Sequence, residues 1–212
     1  LNNIGNIYFS KGDYDKALNF FKQSLKITIE LGNPSLKATR LNNIGEFYRN
    51  TGNNTEALKY FKEALEIIEK LGNLEKKSTL LSNIGNIYNS QKNYSEALKK
   101  YRQALDIDEQ LKDLGGKAKR LNNIGTIYLS QGNYQKALTR FKNSLEIDQR
   151  LGNKPKIALR FWWIGITYKK MNNKSKALEC FKRARSIYDE LGINYKLKQV
   201  QKEINKLYVL FF

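Results

Sequence analysis

Asparagine recurs every 40 residues along the chain, always in the phrase "LNNIG" or "LSNIG". We call this set the Asn ladder; its members are Asn3, Asn43, Asn83 and Asn123. A side-chain amide offers one acceptor oxygen and two N–H donors, which complement the groups of a peptide bond. Amides at a constant spacing could therefore hold an extended backbone without reading its side chains. Each hydrogen bond contributes about 0.5–1.5 kcal/mol, so the ladder alone would bind weakly.

Residues that commonly do covalent chemistry are scarce. The sequence has no histidine, which removes the usual general base and metal ligand, and its one cysteine, Cys180, has no histidine to activate it. The segment "LGGKAKR" lacks the upstream glycine and the following Ser or Thr of a phosphate-binding loop. The acid pairs Asp106/Asp108 and Glu146/Asp148 are expected on solvated helix faces. We therefore expect no enzyme activity, no metal and no cofactor.

The composition bounds the class of protein. With 212 residues, of which 41% are hydrophobic, the chain can bury a core, and its net charge of +18 favours acidic partners. No apolar run approaches the roughly 20 residues that cross a bilayer, so no membrane is expected. A single cysteine fits a reducing, cytoplasmic compartment. The chain starts inside a repeat and without Met, so we expect it to be part of a longer protein.

The repeated phrase begins at Leu1, Leu41, Leu81, Leu121 and Phe161. A period of this length is typical of stacked supersecondary units, and apolar residues at i, i+3, i+4 and i+7 predict two helices in each unit. The predicted helices span residues 1–11, 13–31, 35–51, 54–71, 75–91, 94–112, 116–131, 134–151, 155–171 and 174–191.

The boundaries of the units follow from the turns, where "LGN" places a glycine as a left-handed cap. We predict one array over 1–212, with an eleventh helix covering its end. The repeats span 1–33, 34–73, 74–113, 114–153 and 154–192, and the capping helix spans 193–212. The apolar end, 209–212, packs inward, continues into another repeat or mediates self-association. The boundary at Gly115–Gly116 differs from the others and predicts either a softer joint or a longer cap.

One set of positions carries a family resemblance. In the second unit its members are Leu41, Ile44, Gly45, Tyr48, Ala57, Phe61 and Ala64. This pattern resembles the tetratricopeptide repeat (TPR), and the 40-residue period is similar to the extended repeats of kinesin light chains and Pins-type adaptors. It is also similar to bacterial and archaeal arrays attached to signalling or NTPase modules. The resemblance implies an all-α, right-handed α-α superhelix whose first helices line a concave groove for an extended peptide or a partner helix.

The asparagines do not lie on the apolar stripe. At about 100° per residue, Ile4, Gly5 and Tyr8 fall within about 60° of Leu1, and these four residues are expected to lie in a packed seam, whereas Asn2 and its polar neighbours fall about 100–200° away. The ladder is therefore expected on the groove side, where it resembles the asparagine ladder in the repeats of O-GlcNAc transferase. An alternative is a solvated face, or amides that bond one another and fix the superhelix.

Neighbours on the same face would give specificity. Trp162 and Trp163 replace both asparagines in the fifth unit, where they form an anchor pocket edged by Lys169 and Lys170 or pack under the capping helix. The predicted peptide-binding residues are Asn3, Asn43, Asn83, Asn123, Asn6, Asn42, Asn86, Asn122, Glu46, Arg49, Trp162, Trp163 and Lys169.

Three functions are compatible with these observations. The first is a non-catalytic scaffold that binds a protein or peptide, acidic and with an apolar anchor, in its groove. The second is a regulatory sensor attached to a signalling or NTPase domain. The third, nucleic-acid binding, is disfavoured because the groove positions carry amides, whereas most lysines project from the second helices.

Overall fold

The computed structural model describes residues 1–209, with the side chains of 1–208. These residues form eleven α-helices and no strand, in two compact units, of which the first spans 1–111 and the second begins at Lys112. The first unit holds α1 (Asn2–Ser10), α2 (Tyr14–Glu30), α3 (Pro34–Asn50), α4 (Asn54–Lys70), α5 (Leu74–Ser90) and α6 (Tyr94–Gln110). The second unit holds α7 (Leu114–Ser130), α8 (Tyr134–Arg150), α9 (Lys154–Lys170), α10 (Lys174–Glu190) and α11 (Asn194–Val209). The prediction of an all-α array of five helix-turn-helix repeats with a C-terminal capping helix is confirmed.

The turns follow a frame of 20 residues, because each helix from α2 to α10 has 17 residues and three residues join it to the next. In the turn after α2, Gly32 has a φ of +63°, and Asn33 then accepts a hydrogen bond from the backbone N–H of Leu36 at 2.9 Å. The glycine ends one helix and the asparagine caps the next. The equivalent positive-φ residues elsewhere include Lys92, Lys112 and Asn172.

A glycine and an aromatic ring hold the two helices of each repeat together. A Cβ on Gly45 would lie 2.6 Å from Cε1 of Phe61, and a Cβ on Gly125 would lie 2.7 Å from Cε1 of Phe141. The rings therefore occupy the space that a side chain on the first helix would need. Glycine therefore permits the close approach of the two helices, and an aromatic residue fills the gap between them.

The first repeat departs from the expected packing. Leu1 and Ile4 are 43% and 40% exposed, whereas their equivalents Leu41 and Ile44 are almost fully buried. In later repeats this face packs against the preceding helix pair, as α3 packs against α2. The expectation that Leu1 and Ile4 lie in a packed seam is therefore wrong for these two residues.

Helix α11 packs against α10, and Val200, Ile204 and Leu207 are buried in a cluster with Phe181 and Tyr188. Gly115 and Gly116 lie within the first turn of α7, where the carboxylate of Asp113 accepts a hydrogen bond from the backbone N–H of Gly116 at 2.9 Å. Residues 210–212, with the side chain of Val209, lie outside the described part of the chain, so the role of the apolar end stays a prediction.

Candidate peptide-binding face

The asparagines of the first unit bond to one another between successive repeats. Asn43 donates its Nδ2–H to Oδ1 of Asn2 at 2.9 Å, and Asn83 donates to Oδ1 of Asn42 at 3.0 Å. In both cases the ladder asparagine donates to an asparagine of the previous repeat, namely the residue just before the ladder position there. We call Asn2, Asn42, Asn43 and Asn83 the amide face.

These contacts leave hydrogen-bonding capacity on the amide face. Asn42, Asn43 and Asn83 are half-buried, and Asn3 is exposed. An amide that donates one N–H to a neighbour keeps a second N–H and a carbonyl oxygen. The two bonds match the alternative in which amides link the repeats, and binding of a peptide by the remaining groups stays a prediction.

Three of the other predicted residues of the first unit, Glu46, Arg49 and Asn86, have partners within the protein. Glu46 and Arg49 form an ion pair one turn apart on α3, with 2.6 Å between Arg49 Nη2 and Glu46 Oε2. Asn86 accepts a hydrogen bond from the Tyr101 hydroxyl at 2.7 Å. Asn6 is exposed and lines a cavity of about 80 Å³ together with Asn43 and Glu46.

The second unit replaces amide contacts by aromatic ones. Trp163 stacks on Phe141, with ring centroids 6.0 Å apart and an interplanar angle of 12°, and Trp162 packs on Phe181 at 5.5 Å. Trp162 also packs against the cluster that contains buried residues of α11. Both tryptophans are half-buried, so each combines an intramolecular contact with some surface that solvent reaches.

In the second unit, Asn122 and Asn123 on α7 are the equivalents of Asn42 and Asn43, and both are half-buried. Oδ1 of Asn122 is buried and has no hydrogen-bond partner among the described residues. The backbone carbonyl of Asn123 accepts a bond from the Thr126 hydroxyl at 2.7 Å. The structure therefore places both on α7 as expected, and their contact with a ligand stays a prediction.

Lys169 lies beside the capping helix, where its ammonium group pairs with Glu203. Glu203 also pairs with Lys206 at 2.7 Å. Burial acts to raise the pKa of the Glu203 carboxyl, but hydrogen bonds from the two lysines outweigh it, and the pKa is lowered. The charge of Lys169 is thus compensated within the protein, whereas Lys170 is exposed.

Sequence reasoning missed a buried ion pair in the second unit. Asp148 on α8 and Arg160 on α9 are 0% and 4% exposed, and Nε of Arg160 donates to Oδ2 of Asp148 at 2.9 Å. Asp108 is also buried, so the expectation of solvated acid pairs is wrong for these two aspartates. The 40-residue register could have revealed them, because their equivalent in the second repeat is the core residue Ile68.

Three further properties bear on function: the reactivity of the cysteine thiol, metal binding and membrane spanning. Cys180 is buried, and this burial raises the pKa of its thiol to about 11, which suppresses the reactive thiolate. No group of three or more Cys, Asp or Glu side chains between residues 1 and 208 is arranged to hold a metal ion. None of the described helices has the length and apolarity to cross a membrane.

Several solved structures resemble this fold. BtubC from P. vanneervenii aligns with a TM-score of 0.80 and 24% identity, over 89% of this chain and 78% of BtubC. The STAND protein with a tetratricopeptide repeat sensor from Pyrococcus horikoshii gives 0.85 and 20%, over 98% of this chain and 32% of that protein. A Rap protein complexed with competence and sporulation factor gives 0.82 and 18%, over 99% of this chain and 62% of that protein.

This chain therefore spans about a third of the STAND protein and less than two thirds of the Rap protein. No curated protein sequence matches it. Tetratricopeptide repeat models match residues 36–110 and 118–190, and a further one matches residues 1–27. These matches cover well over half of the chain, which belongs to the tetratricopeptide repeat family.

Proposed function

We propose that the chain is a non-catalytic interaction module that binds an extended peptide across its first helices. The observation that carries this proposal is the amide face, where Asn43 and Asn83 are held by bonds to neighbouring repeats and keep an unused N–H and carbonyl. Amides fixed before a ligand arrives lose little conformational entropy when they bind it. Alternating donors and acceptors suit the main chain of a peptide.

The fold supports the same function. The similar Rap protein was solved in complex with competence and sporulation factor. A fold of this kind is therefore compatible with ligand binding. The net charge of +18 favours an acidic partner, because unlike charges speed the encounter of two molecules. The proposed partner is a protein or peptide of the cytoplasm and not a nucleic acid.

The experiment is capture of a random peptide library by the immobilised chain, compared with the variant Asn43→Ala/Asn83→Ala/Asn123→Ala. At about 1 kcal/mol for each lost hydrogen bond, we expect the affinity for selected peptides to fall on the order of 100-fold. The free energy of unfolding should fall by about 1–3 kcal/mol, because two bonds between repeats are lost as well.

Asn54→Ala is the matched control. Asn54 donates to the Ser90 hydroxyl at 3.2 Å, so this variant also loses a hydrogen bond between neighbouring repeats, but one that starts from the second helix α4 and ends about two helical turns beyond Asn83 on α5. It should keep peptide capture. Undiminished capture by the triple variant would show that the Asn ladder serves only to link the repeats.

A further inference from the structure

A cavity opens between the second and third repeats, next to the amide face. Its volume is about 150 Å³. Ala38, Ile68 and Leu80 form an apolar floor, and Asn42, Lys76 and Thr79 form a polar rim. No residue of the Asn ladder lines it, but Asn42 of the amide face does, so the cavity adjoins the proposed binding surface.

The apolar floor of the cavity depends on the residue types at positions 68 and 80. Between the fourth and fifth repeats, the positions of Ile68 and Leu80 are occupied by Asp148 and Arg160, whose side chains meet in a buried ion pair. Leucine is shorter than arginine and cannot reach across in the same way. The second and third repeats therefore leave space where the fourth and fifth place a guanidinium group.

The positively charged side chain of Lys76 is fixed at the rim by hydrogen bonds. The Lys76 ammonium donates to the Ser35 hydroxyl at 2.9 Å and to the Thr39 hydroxyl at 3.2 Å. These acceptors are neutral, and no carboxylate of the described residues lies within ion-pair distance of Lys76. Glu75 also lines the cavity, but it is exposed and one residue earlier on α5.

We propose that this cavity takes one aliphatic side chain, of leucine or isoleucine size, from an acidic peptide whose adjacent carboxylate lies beside Lys76. The inference rests on the proposed function and names its ligand. An apolar cavity of about 150 Å³ can hold a molecule as large as benzene, which leaves room for a branched aliphatic group but not for an indole. Asn42 and Thr79 also line the cavity, and their side chains offer hydrogen-bonding groups to the main chain next to that side chain.

The probe is N-acetyl-leucine, which carries the side chain, one amide and the carboxylate. Titration into the isotope-labelled full chain, followed by NMR, should give saturable shifts at Ala38, Ile68 and Leu80. N-acetylglycine lacks the side chain and should bind about tenfold more weakly or worse. N-acetyl-leucine amide lacks the carboxylate and should bind about twofold to fivefold more weakly.

Two variants locate the site. Thr79→Leu places at the rim the residue that the fifth repeat carries at the equivalent position, Leu159, and should weaken the binding of N-acetyl-leucine about fivefold or more. Because Thr79 is exposed, we expect this variant to fold. Lys76→Gln should abolish the preference for the carboxylate over the amide. Lys77→Gln removes the same charge from a lysine paired with Glu69 and should leave that preference unchanged.

Equal binding of N-acetylglycine and N-acetyl-leucine, or shifts outside the cavity only, would overturn the assignment. So would a Thr79→Leu variant that binds N-acetyl-leucine as the parent does. Such results would not affect the proposed function if the library still selects peptides that depend on the amide face. Conversely, a loss of library capture together with saturable N-acetyl-leucine shifts would reject the peptide-binding role of the Asn ladder and keep the cavity.

Discussion

The contact between the second and third repeats and the contact between the fourth and fifth share one frame but use opposite chemistry. In the first, Ile68 and Leu80 pack as apolar core residues. In the second, 80 residues later, Asp148 and Arg160 form a buried ion pair. The glycine–aromatic contacts are the same in both regions, with Gly45 against Phe61 and Gly125 against Phe141. The frame therefore fixes the helix spacing, while this pair of positions is free to vary in polarity.

The largest expected effect comes from breaking the ion pair. Arg160→Leu leaves the Asp148 carboxylate buried and without its cation, and we expect it to lower the free energy of unfolding by about 3–5 kcal/mol. Urea denaturation followed by circular dichroism measures this change. The cost arises from desolvation of the remaining charge, since both groups are almost inaccessible to solvent.

The double variant Asp148→Ile/Arg160→Leu gives the fourth and fifth repeats the pair found between the second and third. Replacing a buried ion pair by apolar residues is often neutral, or stabilising by about 1–4 kcal/mol. We expect the double variant to recover at least the parent stability. A double variant as unstable as Arg160→Leu would show that the two regions differ in packing geometry and not only in charge.

A second contrast between the regions involves the first helices. Trp163 stacks on Phe141, whereas the equivalent residue Asn83 makes one hydrogen bond to Asn42. Trp163→Ala should cost about 2–3 kcal/mol, because a half-buried aromatic contact is lost, and Asn83→Ala should cost about 1 kcal/mol. Thermal and urea unfolding of both variants tests the ranking. Equal costs would mean that the tryptophan edge is not part of the core and is present mainly for a ligand.

Most of the fold could be predicted from the sequence, because the 40-residue register repeats the same apolar stripe in every unit. The helices, the turns with left-handed glycines and the capping helix all follow from that periodicity. The exposure of Leu1 and Ile4 could not be predicted, because it depends on whether a preceding helix pair covers them. A residue's own type and spacing contain no information about that neighbour.

The site was less accessible to sequence reasoning. The helical wheel separated the asparagines from the core, but it could not show that Asn43 and Asn83 donate to the preceding repeat. Residue type alone predicts that Asp148 lies in solvent, although it follows Phe141 by two helical turns on the buried stripe. The pairing of Lys169 with Glu203 needed coordinates, since the two residues are 34 positions apart.

The pH dependence of stability separates the two regions further. Burial raises the pKa of the Asp148 carboxyl above its ordinary value of 3.8, although Arg160 acts to lower it. The folded chain thus holds this proton more tightly than the unfolded chain does. The contribution of Asp148 to stability is therefore greatest below pH 3.8 and is lost as the pH rises through the raised pKa.

The measurement is the free energy of unfolding of the parent minus that of Asp148→Ile/Arg160→Leu, between pH 3.5 and 7. This difference should decrease with rising pH, with a slope no steeper than about 1.4 kcal/mol per pH unit, and then level off. Arg160 keeps its charge over this range, so one proton accounts for the change. A difference that increases with pH would mean that Arg160 outweighs burial.

The smallest effect concerns the turns of the same two regions. Lys92, in the third repeat, has a φ of +59°, and its counterpart in the fifth repeat, Asn172, has a φ of +58°. A lysine side chain is strained in this conformation by about 1–2 kcal/mol, whereas asparagine tolerates it better. Glycine relieves the strain but gains freedom in the unfolded chain, so Lys92→Gly should stabilise by about 0.5–1 kcal/mol. Asn172→Gly should change the free energy of unfolding by only a few tenths of a kcal/mol. Urea titration of both variants distinguishes these values, and an equal response would mean that the turn of the third repeat holds its lysine by contacts that offset the strain.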